Sequence, residues 1–328
     1  MMRGVAAAAV AAIVFSSCAH FECQKHGGTE VRSIATDHFV IISSLPLDKH
    51  RAQAEKLELL WDSFGAFFGV TVERARIPVV LMNSASDVSS FGSGALGFVQ
   101  RRGPTALVVG APDGDGVGTS AHELTHLVSA FMVPRQPRWV SEGLAALFED
   151  AKFRDVRSVE MGRWNEPRAR GARFQLMSLD ELQRWNERTL DDGAAYASSW
   201  AWIHYLANHD EARLRRLFDA LRGTAPIADV MRQVFPPGER KRLYDVVSAY
   251  LSNARFHGWE TSLTRTPTIE QPVVLSDWQV HLLRSRLSPE RAMEEEDIAI
   301  SLAPTADAAR DRGDQGAARG TEAGVAPR

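Results

Sequence analysis

The chain has 328 residues, of which 45% are hydrophobic, and its formal net charge at pH 7 is −3. This apolar content is ample for a buried core in one large domain or two lobes, and the small net charge gives no electrostatic argument for a nucleic acid partner. With only 2 cysteines, the chain has neither a disulfide framework nor a cysteine-rich metal site.

The N-terminus has the pattern of an export signal. Arg3 precedes an uncharged run from Gly4 to Phe15, which is too short to span a bilayer as a stable helix. The run ends at Cys18 in a sequence that resembles a bacterial lipobox, so we expect residues 1–18 to be a signal and Cys18 to be lipidated. Ala19 then suggests an outer-membrane lipoprotein whose only membrane contact is this anchor, with 19–30 as a linker. The alternative is an ordinary cleaved signal.

Strands and one long helix are predicted next. The segment Leu47 to Phe68 has helical periodicity, with large apolar residues on one side, and is expected to be the first core helix. Four segments around it are expected to be strands, the last two as a hairpin. These strands are His38 to Ile42, Ile77 to Met82, Ala95 to Gln100 and Thr105 to Gly110.

The segment His122-Glu123-Leu124-Thr125-His126 carries metal-site chemistry. In a helix, His122 and His126 lie four residues apart on one face and can share one metal ion. Glu123 is rotated about 100 degrees from His122, so it can reach a water on the metal without being a ligand. Ser120 is a possible N-cap. The helix is expected to bury an apolar stripe composed of Leu124, Leu127, Val128 and Phe131.

A second helix is expected after this one, in a position from which a carboxylate can reach the same metal. The stretch 133–138 contains two prolines and cannot continue a helix, so the chain turns before a new helix that carries Glu142. Gly143, Ala145 and Ala146 leave little bulk and would let this helix approach the first. Two alternatives remain, since Glu142 could be an exposed first-turn acid and Glu149, seven residues later, could be the ligand. We expect Glu149→Ala to retain metal and activity.

Together these residues resemble the gluzincin peptidases, and more narrowly the bacterial peptidase MA-like group of predicted exported metallopeptidases. The resemblance rests on the segments from His122 to His126 and from Trp139 to Gly143. It implies that His122, His126 and Glu142 bind one Zn²⁺ per chain, that Glu123 is the general base, and that the substrate is a peptide or protein. It also implies that an edge strand near the metal helix pairs with extended substrate.

The C-terminal half is predicted to be mostly helical. The basic run from Ala151 to Phe174 is either a surface loop or a roof over the cleft that selects acidic substrates. Ser178 has the spacing of a capping box. Tyr196 begins a buried helix; it packs in the core or, by the resemblance, donates to the oxyanion. His204 is expected to be a satisfied interior histidine.

We therefore predict an α+β, zincin-like fold over residues 31–302. A small N-terminal mixed sheet with a long helix extends to about residue 133, a helical lobe follows, and 303–328 form a disordered tail. The predicted function is zinc-dependent peptide-bond hydrolysis in an exported, lipid-anchored protein of the cell envelope. Two rivals are a catalytically silent binding module and a structural envelope lipoprotein in which the metal only joins the helices.

Overall fold

The structure is a computed structural model that describes residues 24, 28–69, 76–91, 97–101, 106–112, 117–155, 157–185, 192–253, 258–262 and 266–304. The predicted signal with Cys18, most of the predicted linker and the predicted tail from residue 305 lie outside these ranges. The first half of the fold consists of β1 (Arg32–Ala35), β2 (Phe39–Ser43), α1 (Leu47–Phe68), β3 (Ile77–Leu81), α2 (Ala85–Phe91), β4 (Phe98–Arg101), β5 (Ala106–Gly110), α3 (Thr119–Met132) and α4 (Arg138–Glu149).

The second half alternates short strands with helices. Its elements are β6 (Lys152–Phe153), β7 (Ser158–Met161), α5 (Glu166–Phe174), α6 (Leu179–Gln183), α7 (Asp192–His209), α8 (Glu211–Arg222), α9 (Ile227–Val234), α10 (Pro237–Asn253), β8 (Trp259–Ser262), β9 (Val273–Val274), α11 (Asp277–Leu287), a 3₁₀ turn (Pro289–Arg291) and α12 (Ala292–Leu302). The described chain is thus a mixed α+β fold, as predicted. None of its helices combines the length and apolar character needed to cross a membrane.

The main sheet is mixed, with strand order β4-β5-β3-β2-β1-β9. The central strands β2, β3 and β5 are parallel, whereas β4, β1 and β9 are antiparallel to the strands they join. Successive residues of a strand face opposite sides of a sheet. Val79 and Val108 accordingly belong to one buried cluster, while Val80 and Val109 belong to another. Both faces of the sheet are therefore covered.

Helix α1 covers one face of the sheet together with α3. The predicted apolar side of α1 is buried, including Leu57, Leu60 and Phe64, which confirms the expected first core helix. The opposite face is covered by α2 and α11, through Val88, Val280 and other residues of the second cluster. The predicted strands are also confirmed, with boundaries that shift by a few residues.

The second half is less purely helical than predicted. The basic run after residue 150 forms β6, β7 and α5, and α5 packs on α7. Strand β7 pairs with the distant β8 to complete a second, three-stranded sheet. Strand β9 then returns to the main sheet and pairs with β1, which brings α11 onto the N-terminal half. The sequence predicted neither return.

Candidate metal centre

The first part of the site is the junction between β5 and α3. Gly110 ends β5 so close to α3 that a Cβ there would lie 2.4 Å from the Oγ of Ser120. Gly118, with a φ of 55°, is the residue that caps the helix, and no side chain completes the cap. Ser120 is therefore inside the helix and buried, so its predicted role as N-cap is wrong. Thr119 joins strand to helix, because its Oγ1 accepts a hydrogen bond from the backbone N–H of Ala111 at 3.1 Å.

Helix α3 then presents the two histidines beside its buried stripe. Leu124, Leu127 and Val128 are buried as predicted, whereas Phe131 is 50% exposed. The imidazoles of His122 and His126 leave the same side of the helix, and their Nε2 atoms are 3.1 Å apart. The predicted pairing of the two histidines on one face is thereby confirmed.

Helix α4 supplies Glu142. Its Oε2 lies 3.3 Å from Nε2 of His126 and 3.6 Å from Nε2 of His122. Gly143 was predicted to let α4 approach α3, but it lies against α7 instead. A Cβ on Gly143 would be 2.5 Å from the backbone oxygen of Ser199. The close approach that holds α4 in place at Gly143 is therefore with α7 rather than with α3.

The three atoms fit a metal ion. Two ligands bound at about 2.0–2.1 Å with tetrahedral angles are separated by about 3.3 Å, and the three separations here are 3.1, 3.3 and 3.6 Å. Oε2 of Glu142 is buried and makes no hydrogen bond within the described part of the chain. His122, His126 and Glu142 together form a group able to hold one ion. The donor set of two imidazoles and one carboxylate suits zinc, although other divalent metals also accept it.

The second nitrogen of each histidine is occupied. Nδ1–H of His122 donates to Oε2 of Glu149 at 2.8 Å, and Nδ1 of His126 lies 2.9 Å from Oγ of Ser141. The carboxylate of Glu149 can only accept, so it fixes the His122 tautomer that leaves Nε2 as an acceptor for the ion, and Ser141 orients the ring of His126. Glu149 is itself held by Arg168, whose Nε and Nη2 donate to Oε1 at 2.8 and 2.6 Å.

The sequence pattern did not predict this role of Glu149, which was expected only as an alternative ligand. The available signal was its spacing of seven residues from Glu142, which is two helical turns and puts both carboxylates on one side of α4. Their roles divide by position. Glu142 faces the Nε2 atoms, whereas Glu149 faces Nδ1 on the far side of the His122 ring.

In the absence of a metal, the site is arranged to hold a proton. Burial lowers the pKa of His122, but the nearby carboxylates of Glu142 and Glu149 outweigh it and raise that pKa to about 9. For Glu142, burial raises the pKa, but contacts with His122 and His126 dominate and lower it to about 2. The negative charges of Glu142 and Glu149 thus lie close to the histidine nitrogens, where they stabilise a bound proton or metal cation.

Glu123 stands apart from the three ligand atoms and lines the adjacent cleft. Burial is the main cause of a raised pKa for its carboxyl group. Gly97, just before β4, passes so near that a Cβ there would lie 2.9 Å from Cγ of Glu123. The predicted base therefore lies at the entry to the edge strand of the sheet.

The cleft has a volume of about 710 Å³ and lies between the main sheet and the helical half. Its sheet side is formed by residues at the carboxyl ends of β3 and β5, such as Asn83 and Pro112. Its helical side includes Glu149, Arg168 and Tyr196. Ligands commonly bind at the carboxyl ends of parallel strands. Arg168 is the member of the predicted basic run that lines this cleft.

Tyr196 was predicted either to pack in the core or to reach the cleft, and its ring does both. Its ring packs edge-on against Trp185 with centroids 5.0 Å apart, and it also lines the cleft. His204, in contrast, is confirmed as a satisfied interior histidine. Its Nε2–H donates to the backbone oxygen of Gly162 at 3.1 Å, and its Nδ1 accepts from the hydroxyl of Tyr250 at 2.7 Å.

The part of the chain that contains the site is similar to a known family. A family described as "Protein of unknown function (DUF1570)" matches residues 116–228, a stretch that includes both metal-site helices and Tyr196. A comparison with curated proteins gives no match. The family match covers about a third of the chain, and its description names no activity.

Proposed function

We propose that this protein is a zinc-dependent peptide hydrolase of the gluzincin type. The observation that carries the proposal is the spacing of three ligand atoms from His122, His126 and Glu142, 3.1 to 3.6 Å apart, beside a cleft lined by Glu123. A site of this kind leaves a position open for water or substrate, which is the usual arrangement of catalytic zinc.

A zinc ion bound here would polarise the substrate carbonyl and lower the pKa of a water molecule. Glu123 then acts as the general base. Its carboxylate accepts the proton of the attacking water and passes that proton to the leaving amine. The raised pKa of Glu123 suits this double role, because it brings the carboxyl group nearer to the pH at which both transfers occur. Tyr196, which lines the same cleft, donates a hydrogen bond to the developing oxyanion.

The edge of the sheet supports a peptide as the substrate. Strand β4 ends the strand order at the side of β5, so its outer edge pairs with no strand of the described chain. An extended peptide can add to such an edge through main-chain hydrogen bonds. Since Gly97 leads into β4 from a position against Glu123, a peptide paired there would pass the base.

The two rival functions have less support. A structural metal site needs four protein ligands, and the group found among the described residues has three, His122, His126 and Glu142. Glu149 is not a fourth, because its Oε2 is bonded to Nδ1 of His122 and its Oε1 to Arg168. A silent binding module has no use for a partly buried carboxylate that lines the cleft at the position of Glu123. We therefore favour catalysis.

The decisive test is Glu123→Gln, which keeps the size of the side chain but removes proton acceptance. We expect the variant to bind about one zinc per chain, because His122, His126 and Glu142 are unchanged. Turnover of a peptide or casein substrate should fall by about 10² to 10⁴. Glu296→Gln removes an exposed carboxylate of α12 and should match wild type. Equal cleavage by Glu123→Gln and wild type would reject the hydrolase.

We also propose that the protein is exported and anchored by lipid at Cys18, which lies outside the described residues. The proposal rests on the apolar run that ends at this cysteine. Labelling of cells with a lipid precursor should mark the wild-type protein and not Cys18→Ser, whereas Cys23→Ser should remain labelled. If Cys18→Ser is labelled as strongly as wild type, the anchor is elsewhere or absent.

A further inference from the structure

The side chain of Arg138, at the start of α4, lies on a built aromatic platform. Its guanidinium carbon is 4.0 Å from the ring centroid of Trp185, within the distance of a cation–π contact. Trp185 is 2% exposed, and its Nε1–H donates to Oδ1 of Asp192 at 2.8 Å. The Trp185 ring is thus held in place by its burial and by its hydrogen bond to Asp192, and it sets the position of the Arg138 guanidinium.

Two guanidiniums lie about equally far from the ring of Tyr196, but their bonding differs. Arg168 is 6.0 Å from that ring and is committed to Glu149 through two hydrogen bonds. Arg138 is 5.9 Å from the ring, and its nearest acids in the described chain are Glu142 at 3.8 Å and Asp192 at 4.0 Å. Both distances exceed a hydrogen bond. Among the residues that the structure describes, no acceptor is within hydrogen-bond distance of Arg138, and its side chain is 36% exposed.

The guanidinium of Arg138 lies next to the candidate metal centre, on the Oε1 side of Glu142. Glu142 turns Oε2 towards the two histidines and Oε1 towards Arg138. When an ion takes up the charge of Glu142, less negative charge remains to compensate Arg138. Asp192 adds little, since its side chain is 66% exposed and is already bonded to Trp185. An anionic group of the substrate would restore the balance of charge.

We propose that Arg138 binds a carboxylate of the substrate next to the bond that is cleaved. The inference rests on the proposed peptide hydrolysis and names its substrate class. A guanidinium presents a planar fork of donors that matches a carboxylate. In a peptide, this group is either the C-terminal carboxylate or the side chain of Asp or Glu. The first source gives removal of C-terminal residues, and the second gives cleavage beside acidic residues.

The test uses four labelled pools of random heptapeptides. The pools contain or lack Asp and Glu, and end in a free or an amidated C-terminus. Hydrolysis is measured with zinc-loaded full-length wild type, Arg138→Gln and the control Arg170→Gln, which removes an equal charge from an exposed position on α5. Binding is measured separately by fluorescence anisotropy in the Glu123→Gln background, where the metal site is kept and turnover is blocked.

Wild type should prefer pools with a carboxylate by about tenfold or more in KM and in binding, as a charged bidentate contact predicts. Arg138→Gln should lose this preference, keep its zinc, and equal wild type on the amidated pool without Asp and Glu. The pool that gives the preference identifies the source of the carboxylate. Arg170→Gln should behave like wild type in every assay.

Two outcomes overturn the inference. One is equal binding of all four pools by the wild-type cleft, including no binding at all. The other is loss of zinc or an equal loss on every pool in Arg138→Gln, which would mean that Arg138 only positions Glu142. Binding that depends on a carboxylate, without hydrolysis of any pool by wild type, would reject the proposed hydrolase and leave the recognition role of Arg138 supported.

Discussion

Glu149 shows how much a metal centre depends on residues that do not touch the ion. Its Oε2 holds Nδ1 of His122 at 2.8 Å while its Oε1 is held by Arg168. Burial opposes ionisation of Glu149, but His122 and Arg168 outweigh it and lower its pKa. The carboxylate therefore remains charged and makes the imidazole a better ligand.

From this contact we predict that Glu149→Ala lowers zinc affinity by about 10- to 100-fold, as expected for loss of a partner that orients a ligand. This differs from the expectation drawn from the sequence, in which the substitution was harmless. Competition with a chelator measures the affinity. Asp150→Asn is a suitable control, because Asp150 lines the same cleft but bonds to Asn165 instead of a histidine. Equal affinity of Glu149→Ala and wild type would contradict the prediction.

At this scale, spacing predicted the pair His122 and His126, because residues four apart lie on one face of a helix. Glu142 joined the pair only through the resemblance to gluzincins. Spacing did not predict Ser141 or Glu149 as partners of the histidines. Their roles depend on the rotation of α4 relative to α3. That rotation is set by packing against a third helix, which no local pattern contains.

The third helix is α7, and its contact with α4 is made at Gly143. The backbone oxygen of Ser199 and Cγ1 of Ile203 both lie 2.5 Å from the position that a Cβ of residue 143 would take. A methyl group cannot be accommodated at that distance without moving one helix. Because Glu142 is the preceding residue, a shift of α4 also moves the third ligand.

We therefore expect Gly143→Ala to lower the free energy of unfolding by about 1–3 kcal/mol, the usual cost of overpacking, and to weaken zinc binding. Gly238→Ala is the matched control. Gly238 is also helical, and nothing lies within 4 Å of the position that its Cβ would take. The control should be neutral or more stable by about 0.5–1 kcal/mol, because alanine favours a helix. Denaturant titrations measure the free energy of unfolding of both variants, and competition with a chelator measures their zinc affinity. Two equally stable variants would rule out the close contact.

Elements with a strong period were predicted well, and elements without one were not. The long helix α1 was predicted at the observed bounds, because large apolar residues recur along one side. Strands β6, β7 and β8 are short, and β7 pairs with a strand about a hundred residues away, as in Ser158 with Ser262. Pairing over such a separation leaves no local signal. The return of β9 to β1 was missed for the same reason.

At the scale of the whole molecule, two buried histidines tie separate elements together, His50 between neighbouring elements and His204 between distant ones. Nε2–H of His50 in α1 donates to the backbone oxygen of Ile41 in β2 at 3.1 Å. His204 in α7 joins Gly162 and Tyr250 in the same way. Burial lowers the pKa of both histidines to about 4. Near pH 6, both histidines are therefore still neutral in the folded protein, whereas the same histidines in the unfolded chain are already partly protonated.

These histidines and His122 act on stability in opposite pH ranges. Since the folded pKa values of His50 and His204 are about 4, the unfolded state takes up more protons between pH 6.5 and 4. Stability should therefore fall with acidification across that range, by up to roughly 3 kcal/mol for each histidine. His122 has a folded pKa of about 9 in the metal-free site. Its contribution is complete below pH 6.5 and is lost as the pH rises to about 9.

The metal-free protein should thus be most stable near pH 6.5, with a loss on each side. Zinc should remove the alkaline loss, because a ligand histidine binds the ion in place of the proton. Zinc should not change the loss of stability at acidic pH, because His50 and His204 lie outside the metal site. Urea titrations at pH 5, 6.5 and 9, with zinc and with a chelator, measure both effects. His122→Ala should behave with zinc as it does without it. An alkaline loss of equal size in the zinc-loaded wild type would show that His122 is not a ligand.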